Sequence, residues 1–127
     1  MRVAEFRAAL RLFLRRAERA ARASGLTPQR YLLLLMIKGA PNGSEQSTVT
    51  ELAERLQLAQ STVTELVTRS VDAGLIARES SAADARVTYL RLTPEGERRL
   101  ACSFTGLAAE RRALYEAIGG LQPKTQP

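Results

Sequence analysis

The stretch TVTELAERLQLAQSTVTELVTRSVDAG, residues 48–74, decides the fold together with LIARES at 75–80 and VTYLRL at 87–92. Thr48 and Glu51 have the spacing of a capping box, in which each side chain satisfies an exposed backbone donor near the other. A helix is therefore expected to start at Thr48, with Leu52, Ala53 and Leu56 on its inner face. Gln57-Leu58-Ala59 interrupts that pattern. A second helix is expected over about 60–73, with Val63, Leu66, Val67 and Val71 inward and Gly74 as its stop. The period then changes. Leu75–Ser80 and Val87–Leu92 are rich in branched and aromatic residues and read as strands, joined by the polar tip Ser-Ser-Ala-Ala-Asp-Ala. Two short helices with a tight turn, followed at once by a hairpin, describe a winged helix-turn-helix.

On the N-terminal side, Thr27-Pro28 opens another helix, with threonine as cap and proline at the first helical position. Its body, Tyr31 to Ile37, is apolar all round and is expected to be buried on most faces. Residues 39–47 read as a polar loop rich in turn formers, somewhat long for its place. Residues 2–23 predict a long helix in which Phe6, Leu10, Phe13, Ala17 and Ala20 form an apolar stripe. Arg7, Arg11, Arg15, Arg19 and Arg22 fall mainly on its other faces, as a solvated surface. Gly25 is its stop signal. On the C-terminal side, Thr93-Pro94-Glu95-Gly96 caps a last helical region. There Leu100, Phe104, Leu107, Leu114, Ile118 and Leu121 continue an apolar stripe, bent at Gly106, before a loose tail.

The second helix of a helix-turn-helix can lie in the major groove and present its first turns to base edges. Such a face should be polar, short and able both to donate and to accept. Gln60, Ser61, Thr62, Thr64, Glu65, Thr68 and Arg69 meet that demand. An ordinary amphipathic helix with a Ser/Thr-rich exterior suits the same residues equally well. Composition points the same way as the groove reading: 19 Lys and Arg against 13 Asp and Glu give a net charge of +6, and a basic chain attracts polyanions by counterion release.

Composition also narrows the function classes. The chain has no histidine, so the commonest general base and metal ligand is missing. Cys102 stands alone, which leaves no intrachain disulfide, zinc site or activated thiol pair and agrees with a reducing cytoplasm. No glycine-rich phosphate loop is present. The expectation is a cytoplasmic non-enzyme without cofactor or metal. The longest apolar run, Tyr31 to Ile37, is far short of the ~18 residues a membrane span requires, and the N-terminus does not read as a secretion signal.

Six short stretches share an order and a spacing with one known group. They are Leu26-Thr27-Pro28-Gln29, Leu52-Ala53-Glu54-Arg55-Leu56, Ser61-Thr62-Val63-Thr64, Gly74-Leu75-Ile76, Asp84-Ala85-Arg86 and Leu92-Thr93-Pro94-Glu95-Gly96. Together they resemble the MarR family of bacterial transcription regulators over most of residues 5–118. The resemblance implies a single domain over 1–127, mainly α with a small β-hairpin wing. Residues 27–92 form the winged helix-turn-helix lobe, and residues 1–24 and 94–121 the dimerisation helices. It implies a homodimer that reads a pseudo-palindromic site in double-stranded DNA, although each apolar stripe could equally be intramolecular core. Arg86 corresponds to a wing arginine reaching into the minor groove, and Asp84 to the acidic residue that orders the wing. The resemblance further implies a ligand-responsive repressor whose small aromatic or phenolic effector would meet Arg11, Arg15, Tyr31 and Leu35. Cys102 does not match the sensing cysteine of some relatives, near their first helix, and is expected to be a structural thiol.

The chain departs from the family at several points. Ala59 stands where a capping serine is usual, Glu65 where many relatives are basic, and Ser70 where leucine is usual, with Val71 expected to take over the packing. Glu65 and the missing cap are the features that favour an alternative, a winged-helix protein-interaction module without specific DNA readout.

Overall fold

The computed structural model describes residues 2–105 and 107–121. In chain order these form α1 (Arg2–Ala23), α2 (Pro28–Lys38), β1 (Gln46–Ser47), α3 (Val49–Leu56), α4 (Gln60–Asp72), β2 (Ile76–Ser80), β3 (Thr88–Leu92), α5 (Pro94–Thr105) and α6 (Ala108–Leu121). The bend expected at Gly106, the side chain of Leu121 and the tail after it lie outside the described residues. Among those described, no helix is long and apolar enough to cross a membrane.

Local chemistry sets the element ends. Thr27 Oγ1 accepts from Arg30 N at 3.2 Å with Pro28 in the first turn, so α2 begins where the sequence placed it. At α3, Thr48 Oγ1 accepts from Glu51 N at 3.2 Å while Glu51 Oε1 accepts from Thr48 N at 2.9 Å, completing the capping box. The α3–α4 turn is closed by Gln57, a non-glycine residue in the left-handed region at φ 56°. Its side-chain Nε2 donates to Glu54 O at 2.6 Å, which helps offset the strain of that conformation. Gly74, at φ +77°, then ends the turn after α4 with no side chain to resist the left-handed backbone.

The strands correct one expectation. Residues 39–47 are not irregular throughout: Gln46 and Ser47 pair antiparallel with Arg91 and Leu90, which makes a three-stranded sheet in the order β1-β3-β2. The β2–β3 hairpin pairs Ile76 with Leu92 and Ser80 with Thr88.

The core lies where α2, α3, α4 and the sheet converge. Leu33, Leu34 and Ile37 of α2 pack with Leu52, Val63, Val67, Leu75, Ile76 and Leu90, all fully or almost fully buried. Each such side chain contributes roughly 1.5–3 kcal/mol by leaving water. Ser70 is also fully buried, its hydroxyl donating to Leu66 O at 2.8 Å, and Val71 packs against the core beside it. α2 is buried on most faces over Tyr31–Ile37, where Leu32 stands exposed.

α1 packs along α5 and α6, with Ala17 and Ala21 buried and Arg16 bridging to Glu110 at 3.2 Å. That hairpin leaves large apolar side chains in water: Val3, Leu12 and Leu14 on α1, and Tyr115 and Ile118 on α6, with Tyr115 68% exposed. α5 is joined tightly to the lobe. Thr93 N donates to Leu75 O at 3.0 Å, Thr93 Oγ1 donates to Gly74 O at 2.6 Å, and the same hydroxyl accepts from Gly96 N at 3.0 Å. Farther along, Lys38 Nζ bridges Glu45 and Glu97 at 3.0 Å each, and Arg99 donates to Gly25 O at 3.1 Å. The two carboxylates raise the Lys38 pKa above its ordinary value, Glu45 contributing most.

Candidate nucleic-acid interface

The exposed surface of α4 follows from its helical period. Val63, Val67 and Ser70 face the core, so Ser61, Glu65 and Thr68 fall on the opposite side, with Arg69 on one flank and Thr64 on the other. All seven residues expected to read bases (Gln60, Ser61, Thr62, Thr64, Glu65, Thr68 and Arg69) are exposed, and the structure brings them together on one helix. Ala59 takes the extended N-cap conformation, φ −64° and ψ 146°, but supplies no side-chain cap. The start of α4 therefore keeps unsatisfied backbone donors and the positive end of its dipole facing outward.

Polar contacts arrange this face. Gln60 Nε2 donates to Thr50 Oγ1 at 3.2 Å, fixing the first turn of α4 against α3. Thr68 Oγ1 donates to Thr64 O at 3.0 Å and accepts from Arg78 Nη2 at 3.3 Å, so β2 is tied to the outer face of α4. Arg69 and Glu65, one turn apart, form an ion pair at 2.5 Å while remaining 66% and 64% exposed.

At the wing tip, Arg86 N donates to Asp84 Oδ1 at 3.0 Å, and the guanidinium adds Nε to Oδ1 at 3.2 Å and Nη2 to Oδ2 at 3.4 Å. The Arg86 backbone bond, then its side chain, holds the Asp84 carboxyl below its ordinary pKa. Ser81 Oγ accepts from Ala83 N and Asp84 N, which folds the tip around that carboxylate. Arg86 itself is 91% exposed and projects a cation from an ordered turn.

Charge is unevenly divided. Between residues 27 and 92, Arg30, Lys38, Arg55, Arg69, Arg78, Arg86 and Arg91 are matched by Glu45, Glu51, Glu54, Glu65, Asp72, Glu79 and Asp84, so the winged lobe is neutral. The excess sits mainly on α1, where seven arginines face two glutamates. The overall +6 is thus a weak guide to the lobe that would meet DNA.

The residues expected to meet an effector fall in two places. Arg11 and Arg15 line an open depression on α1 with Arg7, Leu10, Leu14 and Glu18. Tyr31 is buried and packs edge-on against Phe104, ring centroids 6.5 Å apart, and Leu35 is half-buried against the core. Burial raises the Tyr31 pKa, and Arg111, which lies 4.9 Å over the Phe104 ring, partly opposes that shift. Cys102 is exposed on α5, not packed as a structural thiol. Sequence reasoning missed Arg78 and Thr50. The signal for Arg78 was a cation in the strand directly after α4; nothing local marked Thr50.

A model of the MarR family matches residues 24–87 of the chain. The HTH-type transcriptional repressor MdtR of Bacillus subtilis (strain 168) is 36% identical over 90 residues, 71% of this chain and 53% of its own. The chain thus spans about half the length of that curated relative. The transcriptional regulator Tm0710 from Thermotoga maritima superposes with a TM-score of 0.68 at 26% identity, covering 93% of this chain and 78% of that one. A mutant MarR from E. coli, complexed with operator DNA, superposes with a TM-score of 0.66 at 18% identity, over 92% of this chain and 90% of that one. At that identity the likeness is one of fold.

Proposed function

The chain belongs to the MarR family, and on that premise we propose that it is a transcription regulator that binds a specific double-stranded DNA site as a homodimer. The observation that carries the proposal is the outer face of α4: seven exposed polar side chains on one helix, beside a hairpin that holds Arg86 out from an ordered tip. A helix of that kind fits the major groove, and an arginine fits the negative potential of a narrow minor groove. Residues 27–92 would be the DNA-reading lobe. Residues 1–24 and 94–121 would pair two copies, and the exposed Leu12, Leu14, Tyr115 and Ile118 supply apolar surface for that pairing. Two α4 helices set one turn of DNA apart, ~34–36 Å, would read a pseudo-palindrome.

By analogy with MdtR, named a repressor, the regulator acts negatively, in the cytoplasm and without catalysis. A small aromatic or phenolic effector would act through unequal affinity for the DNA-competent and incompetent arrangements. Arg11 and Arg15 on the open α1 depression are better placed to meet it than Tyr31 and Leu35, which belong to the core. The neutral lobe and the acidic Glu65 favour a second reading, a winged-helix module that binds protein. Fluorescence anisotropy with a fragment of the chain's own promoter and with random duplex, at several salt concentrations, separates the two. The regulator binds the promoter more tightly and loses affinity as salt rises; absence of binding to either duplex leaves the module.

A further inference from the structure

Resting on the DNA-binding proposal, we infer that Glu65 and Arg69 act as one unit that selects a C·G base pair in each half-site. Glu65 occupies the middle of the α4 face that points away from Val63, Val67 and Ser70. If α4 enters a major groove, that carboxylate is the side chain pressed toward the base edges. It can only accept hydrogen bonds, and the surrounding phosphates repel it. Two features of the structure resolve this conflict. Arg69 already sits against Glu65, so the pair enters the groove without net charge. The winged lobe around it is also neutral, so affinity leans less on phosphate attraction and more on base contacts.

The major-groove edges leave one good match. Thymine offers the O4 acceptor and a methyl group, both unsuited to a carboxylate. Adenine offers an amino group, but its N7 acceptor stands next to it and repels a carboxylate that approaches squarely. Cytosine offers the N4 amino group with no acceptor of its own beside it, and its partner guanine presents O6 and N7. Glu65 accepts from cytosine N4–H, and the Arg69 guanidinium donates to guanine O6 and N7 while keeping its contact with Glu65. Thr68 stands beside the pair, its hydroxyl engaged by Thr64 O and Arg78, which limits how far this stretch of face can rearrange.

The test is a selection of binding sites from randomised duplex by the wild-type protein and by Glu65→Ala, followed by titrations on the enriched site. Wild type enriches a C·G pair at one symmetric position, and changing that pair to T·A weakens binding on the order of 10–100-fold. Methylating only that cytosine at N4 removes the donor without altering the sequence. It weakens wild type and Glu65→Gln, which keeps an acceptor oxygen, and leaves Glu65→Ala indifferent. Enrichment of the same site by Glu65→Ala, with the same methylation penalty, overturns the inference and leaves DNA binding standing. A wild-type selection that enriches nothing overturns both.

Discussion

Adding a single methyl group at Gly96 should loosen the junction between α5 and the winged lobe. Gly96 is buried in the first turn of α5, and a Cβ built there meets Leu75 O at 2.2 Å and Leu75 C at 3.2 Å. Cβ contacts below 3.0 Å essentially do not occur, so backbone must separate from backbone by about 0.8 Å. The carbonyl in the way is itself held, accepting from Thr93 N at 3.0 Å, and cannot move without weakening that bond. Overpacking costs about 1–3 kcal/mol and a weakened buried hydrogen bond about 1 kcal/mol, against a helix-propensity gain of up to about 1 kcal/mol. The net expectation for Gly96→Ala is a loss of about 1–4 kcal/mol. For a domain of this size each kcal/mol moves the melting temperature by about 4 °C, so the fall is roughly 4–16 °C. Thermal denaturation followed by circular dichroism, at fixed protein concentration because the proposed dimer would melt by mass action, is the assay. Gly119→Ala is the control: nothing lies within 4 Å of its Cβ position, so it should gain up to about 1 kcal/mol. A Gly96→Ala protein melting within 2 °C or so of wild type would refute the packing argument.

Ala59→Ser restores the missing cap of α4 in a backbone already at cap geometry, and should stabilise by about 1 kcal/mol, seen as a higher denaturant midpoint at unchanged slope. Asp84 has a lowered pKa, so its grip on Arg86 is complete above the ordinary value of 3.8 and lost as pH falls through the lower folded value. NMR of the Arg86 amide should report a midpoint below 3.8, absent in Asp84→Ala. Tyr31 has a raised pKa, so its contribution to stability is complete below 10.0 and lost as pH rises through the higher folded value. Tyr31→Phe should flatten the alkaline limb of the stability profile, and Arg111→Ala should move the Tyr31 ultraviolet titration still higher. Arg86→Ala should weaken binding to the enriched duplex and make its salt dependence shallower, whereas Arg69→Ala should change which bases are preferred.

Much of the fold could be read before any coordinates. The Thr48–Glu51 capping box, the Thr27-Pro28 start, the Gly25 and Gly74 stops and the uncapped Ala59 are local chemistry, and local chemistry is written in neighbouring residues. β1 was not legible, because a two-residue strand has no period; it exists only through its register with Arg91 and Leu90, more than forty residues away. The site divided the same way. Helical period gave the exposed face of α4, but the Gln60–Thr50 and Arg78–Thr68 bonds join different elements and leave no spacing to read. The Tyr31–Phe104 contact is equally out of reach of the sequence, because nothing in α2 marks a partner that comes from α5. The neutrality of the lobe was available in the sequence but needed element boundaries to divide one net charge into parts.

Apart from Gln60 and Thr68, which bond to α3 and β2, the side chains on the outer side of α4 stand outside the packed core. Val63, Val67 and Ser70, with Leu66 packed beside them, maintain the helix's seat, and the exposed Ser61, Thr62, Thr64, Glu65 and Arg69 are answerable only to what lies outside. Exchanges at such exposed positions usually shift stability by no more than ~0.5 kcal/mol. If α4 reads DNA as proposed, a lineage built on this scaffold is therefore free to rewrite its genomic address at those positions one residue at a time, with the architecture beneath left undisturbed.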